Sequence, residues 1–380
     1  MAMGVSMAGF KHEALIEMDH DACETLRRNR QNGLRALGDG RLFEGDVRAF
    51  DFGELKEGIE LLAGGPPCQP FSIGGKSRGH VDDRNMFPDT VSVVRQLRPK
   101  AFIFENVRGL LRQSFARYFE YIYLQLSYPE ITRRKGEEWT DHHGRLERSH
   151  TRGKRDGLTY NVVFTPINAA DFGVPQRRER VFLVGFRSDL GADWSFPKPT
   201  HSIESLLWAQ WITDAYWENH RIAKRNRPAM PERLRPRVDR MRDELFEPET
   251  KPWLTVRDAI SDLPDPEKRA DGGGFKNHRF QPGAKPYVGH TGSMIDEPAK
   301  TLKAGDHGVP GGENMLALPS GDVRYFTVRE SARIQTFPDE YEFEGAWSEC
   351  MRQLGNAVPV TLAHVVAESV KKRLERIGDK

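Results

Sequence analysis

The sequence predicts an α/β protein: a large domain built on a mostly parallel sheet, followed by a second, smaller domain. Short apolar runs alternate with amphipathic stretches through the first half, the pattern of strands joined by crossover helices. Polar residues collect just past the strand ends, where ligands sit in open α/β sheets. After Arg187 the texture changes to proline, tryptophan and arginine without that alternation. A chain of 380 residues is also too long for one small core.

Ala14-Leu15-Ile16 reads as the first strand, ending in the acids Glu17 and Asp19, with a helix through residues 21–26. Leu61-Leu62-Ala63 is a second strand, cut off by Gly64-Gly65-Pro66-Pro67. Ala101 to Phe104 is a third, apolar on both faces and therefore expected at the centre of the sheet. Val181 to Phe186 is of the same kind. From about Val323 the chain returns to helical texture, punctuated by Gly355-Asn356-Ala357-Val358-Pro359. The expected domains are 1–187, 188–322 and a C-terminal segment, 323–380, that rejoins the first.

A net charge of +2 does not by itself announce nucleic acid, so local clustering must carry that argument. Cys23, Cys68 and Cys350 form no C-x-x-C pair and no even set, against both a zinc module and a disulfide framework. No apolar run approaches the roughly 18 residues that span a bilayer, and no secretory signal opens the chain. The expectation is a cytoplasmic protein without a membrane partner.

Three segments carry chemistry. In Gly64-Gly65-Pro66-Pro67-Cys68-Gln69-Pro70-Phe71-Ser72 a cysteine sits on a proline-stiffened turn at a strand end, held in one direction as a nucleophile must be. A lone intracellular cysteine is otherwise a packing residue, but these glycines and prolines make a poor core element. Glu105-Asn106-Val107 follows a buried strand; a carboxyl there must be paired or protonated, and a protonated one can donate to a ring nitrogen. Its bland alternative is a salt-bridged acid. Gln176-Arg177-Arg178-Glu179-Arg180 enters the next strand, where alternation sends Arg178 and Arg180 to one face, for an oxygen-rich ligand or a structural ion-pair network.

In this order, with Arg329-Glu330-Ser331-Ala332-Arg333-Ile334-Gln335-Thr336-Phe337-Pro338 and Gly355 to Pro359, the segments resemble the DNA cytosine-5 methyltransferase family over nearly the whole chain. Asp83-Arg84-Asn85-Met86-Phe87 and Asn168 to Pro175 are further matches. The resemblance implies a doubly wound, Rossmann-like methyltransferase sheet and a DNA target-recognition domain. It implies that Cys68 adds to carbon 6 of a flipped-out cytosine and that carbon 5 then takes a methyl group from S-adenosylmethionine. Glu105 would hold ring nitrogen 3, Arg180 the exocyclic oxygen 2, and Arg178 would support the site. The sequence does not identify the base that removes the carbon-5 proton.

By the same carry-over, Glu17 would bind the cofactor's ribose hydroxyls and Asp46 its adenine amino group, with Met18 and Val47 beside them as further cofactor-binding residues. Pro67, Met86, Asn356 and Val358 would complete the pocket wall. Both acids are ordinary loop carboxylates on any other reading. The family's opening strand and Phe-x-Gly-x-Gly-Gly loop have no counterpart before Met7-Ala8-Gly9-Phe10. A misassigned start, a truncated gene and a divergent member all account for that. The alternative function is a catalytically impaired DNA-binding remnant.

The region between the arginine and late motifs corresponds to the family's target-recognition domain. Its stretch Arg221 to Arg242 carries Lys224, Arg225, Arg227, Arg233, Arg235, Arg237 and Arg240, read as a phosphate-contacting surface or a solvated helix face. Arg225, Arg227, Arg235 and Arg237, with Gln69 and Ser72, are the expected contacts to double-stranded DNA. Residues 301–312 read as loop chemistry near the DNA or as a surface turn. Phe115, Tyr118, Phe119, Tyr121 and Tyr123 read as helix core. His142-His143 reads as solvated, with no carboxylate spacing for a metal. A monomer is expected. A cognate restriction endonuclease is an expectation of the family alone, with solitary and phage-encoded versions open.

Overall fold

The computed structural model describes residues 1–67, 86–153, 157–244, 247–269, 271–286, 291–304, 314–318 and 320–378. The chain divides into two compact units: Met1–Ile167, Glu179–Pro197 and Ala363–Lys380 form the first, Asn168–Arg178 and Lys198–Leu362 the second. These bounds follow packing, whereas the sequence-based bounds follow the motifs.

In the first unit, α1 (Ala2–Met7) precedes β1 (Ala14–Glu17), α2 (His20–Gln31) and β2 (Arg41–Glu44). β1 and β2 pair in parallel, Glu17 opposite Glu44. Asp19 caps α2 by accepting from the Ala22 amide, so this acid is spent on starting the helix. β3 (Leu61–Gly64), α3 (Phe87–Leu97), β4 (Ala101–Val107), α4 (Ala116–Ser127), α5 (Trp139–Thr151), β5 (Tyr160–Asn168) and β6 (Glu179–Arg187) follow. The last four strands form a sheet in the order β3-β4-β6-β5. β4 is central and buried from Ala101 to Asn106, and β6 from Val181 to Phe186. The sheet is less parallel than expected: β4 runs parallel to β3 but antiparallel to β6. The short link 169–178 between β5 and β6 holds a 3-10 turn in place of a crossover helix.

One face of this sheet packs on α3, α4 and α5 through Phe87, Val94, Phe102, Phe104, Ile122, Leu146 and Leu183. The aromatic stripe of α4 joins that core, with Tyr118, Phe119 and Tyr121 buried. His142 and His143, expected in solvent, are each only 2% exposed. They ride the inner face of α5 beside buried Leu146, a burial that a local sequence pair does not reveal.

The second unit opens with β7 (His201–Ser202), α6 (Ile203–Trp211), α7 (Ala215–Asn219), α8 (Arg235–Glu244) and β8 (Lys251–Pro252), packed around Leu206, Tyr216, Trp217, Trp253, Leu207 and Val238. α9 (Val256–Ile260), β9 (Ser293–Met294), β10 (Met315–Ala317), β11 (Val323–Tyr325), α10 (Val328–Ile334) and α11 (Trp347–Asn356) complete it. Thr327 and Glu330 form a capping box on α10, and Glu330 also holds Arg324 in a buried ion pair at 2.6 Å. α12 (Val360–Gly378) leads back into the first unit, where Lys371 pairs with Glu60 at 3.1 Å. Among the described residues no helix is long and apolar enough to cross a membrane.

Candidate active site

The site in the first unit is built where β3 and β4 end and the antiparallel β6 begins beside them. β4 runs past Phe104 to Val107 because β6 pairs along its whole length, placing Glu105 opposite Phe182 and Val107 opposite Arg180. Glu105 and Arg180 are therefore diagonal neighbours on one face of the sheet. Arg180 Nε lies 2.8 Å from Glu105 Oε1, a charge contact in which the N–H is not aimed as in a full hydrogen bond. Burial pushes the Arg180 guanidinium below its ordinary value, opposed by Glu105. The other carboxylate oxygen faces Gly65, where a Cβ would stand 3.3 Å from Glu105 Oε2.

Asn106 supplies what the sequence reading left without a role. Its Nδ2 donates to the Pro66 carbonyl at 2.9 Å, tying the end of β4 to the turn that leaves β3. The Pro67 carbonyl accepts from the Met86 amide at 3.1 Å, so residues 67 and 86 meet. Cys68, Gln69 and Ser72 lie outside the described residues. The other two cysteines are packing groups: Cys23 and Cys350 are both buried. Burial first, with Glu44 and Glu17 adding, pushes the Cys23 thiol up to about 11.

The cofactor candidates of this unit stand at the C-terminal ends of β1 and β2. Gly45 N donates to Glu17 O at 2.8 Å, joining the two loops. Glu17 Oε1 accepts from the amides of Met18 and Asp19 at 2.9 and 3.0 Å. Met18 is 71% exposed, and Val47 is half-buried. Asp46 caps the turn 47–49 and pairs with Arg48 at 2.5 Å; the Arg48 side chain and amide hold its carboxyl down to about 2. Two acids and an open apolar side chain at adjacent parallel strand ends suit a nucleoside with ribose hydroxyls and an amino-bearing base.

In the second unit, Arg178 precedes β6 and is not subject to its alternation. It is 1% exposed and donates to the carbonyls of Leu302 at 3.1 Å and Gly355 at 2.7 Å. Gln176, also fully buried, accepts from the Leu302 amide at 3.0 Å. Gly355 runs so close to the backbone of Lys303 and Ala304 that a Cβ there would collide with it. Asn356 is exposed and Val358 buried. The late motif is structural: Arg329, fully buried, donates to the carbonyls of Lys276, Pro338 and Tyr341, and Gln335 donates to that of Leu354 at 2.6 Å. His307 lies outside the described residues.

The basic stretch is divided. Arg227 pairs with Asp214 at 2.8 Å, Arg233 with Glu297 at 2.7 Å, Arg235 with Glu232 at 3.1 Å and Arg237 with Glu204. Lys224, Arg225 and Arg240 are exposed and have no ion-pair partner among the described residues.

The chain as a whole is similar to known proteins. The type II methyltransferase M.Eco47II of Escherichia coli is 32% identical over all of this chain and 78% of its own. M.NgoMIV of Neisseria gonorrhoeae is 30% identical over 99% of this chain and 95% of its own. A solved chain described as a DNA modification methyltransferase encoded within an E. coli prophage superposes with a TM-score of 0.57 at 19% identity, covering 98% of this chain and 96% of the other, and so shares the fold. The model of the C-5 cytosine-specific DNA methylases matches residues 1–128 and 151–372. The chain therefore belongs to the C-5 cytosine-specific DNA methylase family.

Proposed function

We propose that this DNA cytosine-5 methyltransferase uses S-adenosylmethionine and works through a covalent adduct of Cys68 with a cytosine flipped out of a specific double-stranded sequence. The observation that carries the reading is the Glu105–Arg180 pair beside the Gly65–Pro67 turn, one residue before Cys68.

The Cys68 thiolate adds to carbon 6, and charge builds on the ring. Glu105 would hold a proton at ring nitrogen 3, and Arg180 would donate to the exocyclic oxygen 2. Both stabilise an anionic ring, and their mutual contact keeps them oriented before the base arrives. Carbon 5 would take the methyl carbon as the donor's sulfur–methyl bond breaks and its electron pair returns to that sulfur. The carbon-5 proton would then leave to a base, and the electron pair of that C–H bond would reform the double bond as the Cys68 sulfur departs. The cofactor, when bound, supplies the electrophilic methyl. Glu17 and Asp46 would hold its ribose and adenine amino group, with Met18, Val47, Pro67 and Met86 as apolar wall. Asn106 would position the cysteine turn through Pro66.

Arg225 is the foremost candidate for phosphate contact. Arg227, Arg235 and Arg237 would reach DNA by exchanging their acidic partners for phosphates, since exposed ion pairs are weak.

The test is transfer of labelled methyl from S-adenosylmethionine to unmethylated genomic DNA, with trapping on a 5-fluorocytosine duplex. Transfer and trapping that both vanish in Cys68→Ala are expected. Transfer that survives Cys68→Ala would overturn the adduct.

A further inference from the structure

We propose that His143, Glu120 and Glu147 bind one divalent transition-metal ion, Zn²⁺ by its chemistry, which clamps α5 to α4. The region lies apart from the catalytic pattern, since most of α5 falls in the stretch 129–150 that the family model leaves unmatched.

The two adjacent histidines are treated differently. His142 spends both ring nitrogens, Nδ1 with the Tyr121 hydroxyl at 2.8 Å and Nε2 with the Ile131 carbonyl at 2.6 Å. His143 is as deeply buried, yet neither of its ring nitrogens has a hydrogen-bond partner. A buried imidazole left in that condition is unfavourable. Its nitrogens instead face two carboxylates: Nε2 lies 3.6 Å from Glu120 Oε2 and Nδ1 3.8 Å from Glu147 Oε2. Those gaps exceed a hydrogen bond. They approach the separation of about 3.4 Å between two ligand atoms of a tetrahedral ion with bonds of about 2.1 Å.

One ligand atom from each residue falls within 4.8 Å of the other two. His143 and Glu147 are one helical turn apart on α5, and Glu120 comes from α4. Tyr121 and Trp139 pack against the imidazole, with ring centroids at 6.0 and 6.4 Å, and fix its plane. Both glutamates are about half exposed, at 53% and 49%, so an ion can enter from solvent and the carboxylates can close on it. One imidazole and two carboxylates suit Zn²⁺ with a water as fourth ligand, rather than Mg²⁺ or Ca²⁺, which prefer oxygen alone. Because one ion takes one ring nitrogen, the carboxylate facing the other must swing towards it. The exposed trio His20, Glu24 and Glu44 is a different case. His20 Nδ1 already hydrogen-bonds Glu44 at 2.8 Å, so it serves as a control.

The experiment titrates tag-free, chelator-stripped full chain with Co²⁺, read by visible absorption, then displaces it with Zn²⁺ and follows the melting temperature. One equivalent with a tetrahedral spectrum is expected, and Zn²⁺ raises the melting temperature by several degrees. Glu120→Gln and Glu147→Gln each weaken binding about tenfold or more, His143→Gln abolishes it, and His20→Asn leaves it unchanged. The two glutamate variants alter exposed positions and keep the comparison valid if His143→Gln fails to fold. Equal Co²⁺ binding by wild type and both glutamate variants, or no visible spectrum, overturns the site. It would leave the imidazole facing two carboxylates with no ion between them.

Discussion

Arg180 reaches Glu105 across the β4–β6 register, Nε to Oε1 at 2.8 Å, with side chains only 15% and 10% exposed. The pair is preformed and shielded, so each half costs twice when removed. Glu105→Gln keeps the shape but cannot carry a proton to the ring, and kcat is expected to fall about 10²–10³-fold. Arg180→Ala should lower kcat as far and also destabilise the fold by about 3 kcal/mol, because it strands a buried carboxylate. Steady-state kinetics with urea unfolding separates the two. Unchanged kcat in Glu105→Gln would remove this residue from the chemistry.

The cysteines give a prediction that needs no DNA. With its thiol raised to about 11 by burial, Cys23 is ionised to about one part in a thousand at pH 8. Its sulfur also donates to the Glu17 carbonyl at 3.4 Å. Cys350 is 1% exposed. Iodoacetamide at pH 8 should therefore modify one thiol of the native protein, the one lost in Cys68→Ala, and all three after unfolding. Because the folded Cys23 holds its proton more tightly than the unfolded one, stability from this group declines as pH rises above about 8.5. Labelling of Cys23 in the native state would contradict its burial.

Arg178 illustrates a motif residue that acts through backbone. Its two bonds to the Leu302 and Gly355 carbonyls hold two chain segments that Gly355 allows to touch. Arg178→Ala should cost about 3 kcal/mol, and Gly355→Ala about 1–3 kcal/mol by overpacking. The double variant should lose less than the sum, since both release the same contact. Denaturant midpoints measure this. Strict additivity would mean that the two positions are independent.

Much of this was legible in the sequence. The strands at Ala14, Leu61, Ala101 and Val181 were apparent because buried parallel or central strands are short apolar runs, and the proline-stiffened turn and Glu105 follow from their ends. Antiparallel β6 was not, because periodicity gives a strand's faces but not its direction. The burial of His142 and His143 escaped for a related reason: α5 has polar residues at most positions, and only the contact of His142 with Tyr121 and the burial of Leu146 reveal the inward face. The pairing of Arg237 with Glu204, 33 residues earlier, is invisible to a count of charges. Glu17 and Asp46 could be named as candidates only through the resemblance, since a carboxylate after a strand is common.

The division of the basic stretch makes the last prediction the most discriminating. Lys224, Arg225 and Arg240 carry charge that no acid offsets among the described residues, so each should contribute nearly a full counterion to DNA binding. Arg225→Ala and Arg240→Ala should each flatten the slope of log affinity against log salt by about 1. Arg235 and Arg237 must first release Glu232 and Glu204, so their alanine variants should flatten it less. Conversely, Glu232→Gln and Glu204→Gln should strengthen binding, because they free an arginine and remove a charge that repels phosphate. Anisotropy titrations of a short duplex at several salt concentrations read all six variants. Slopes that stay at the wild-type value in Arg225→Ala and Arg240→Ala would make the stretch a solvated surface, and base recognition would have to come from elsewhere in the second unit.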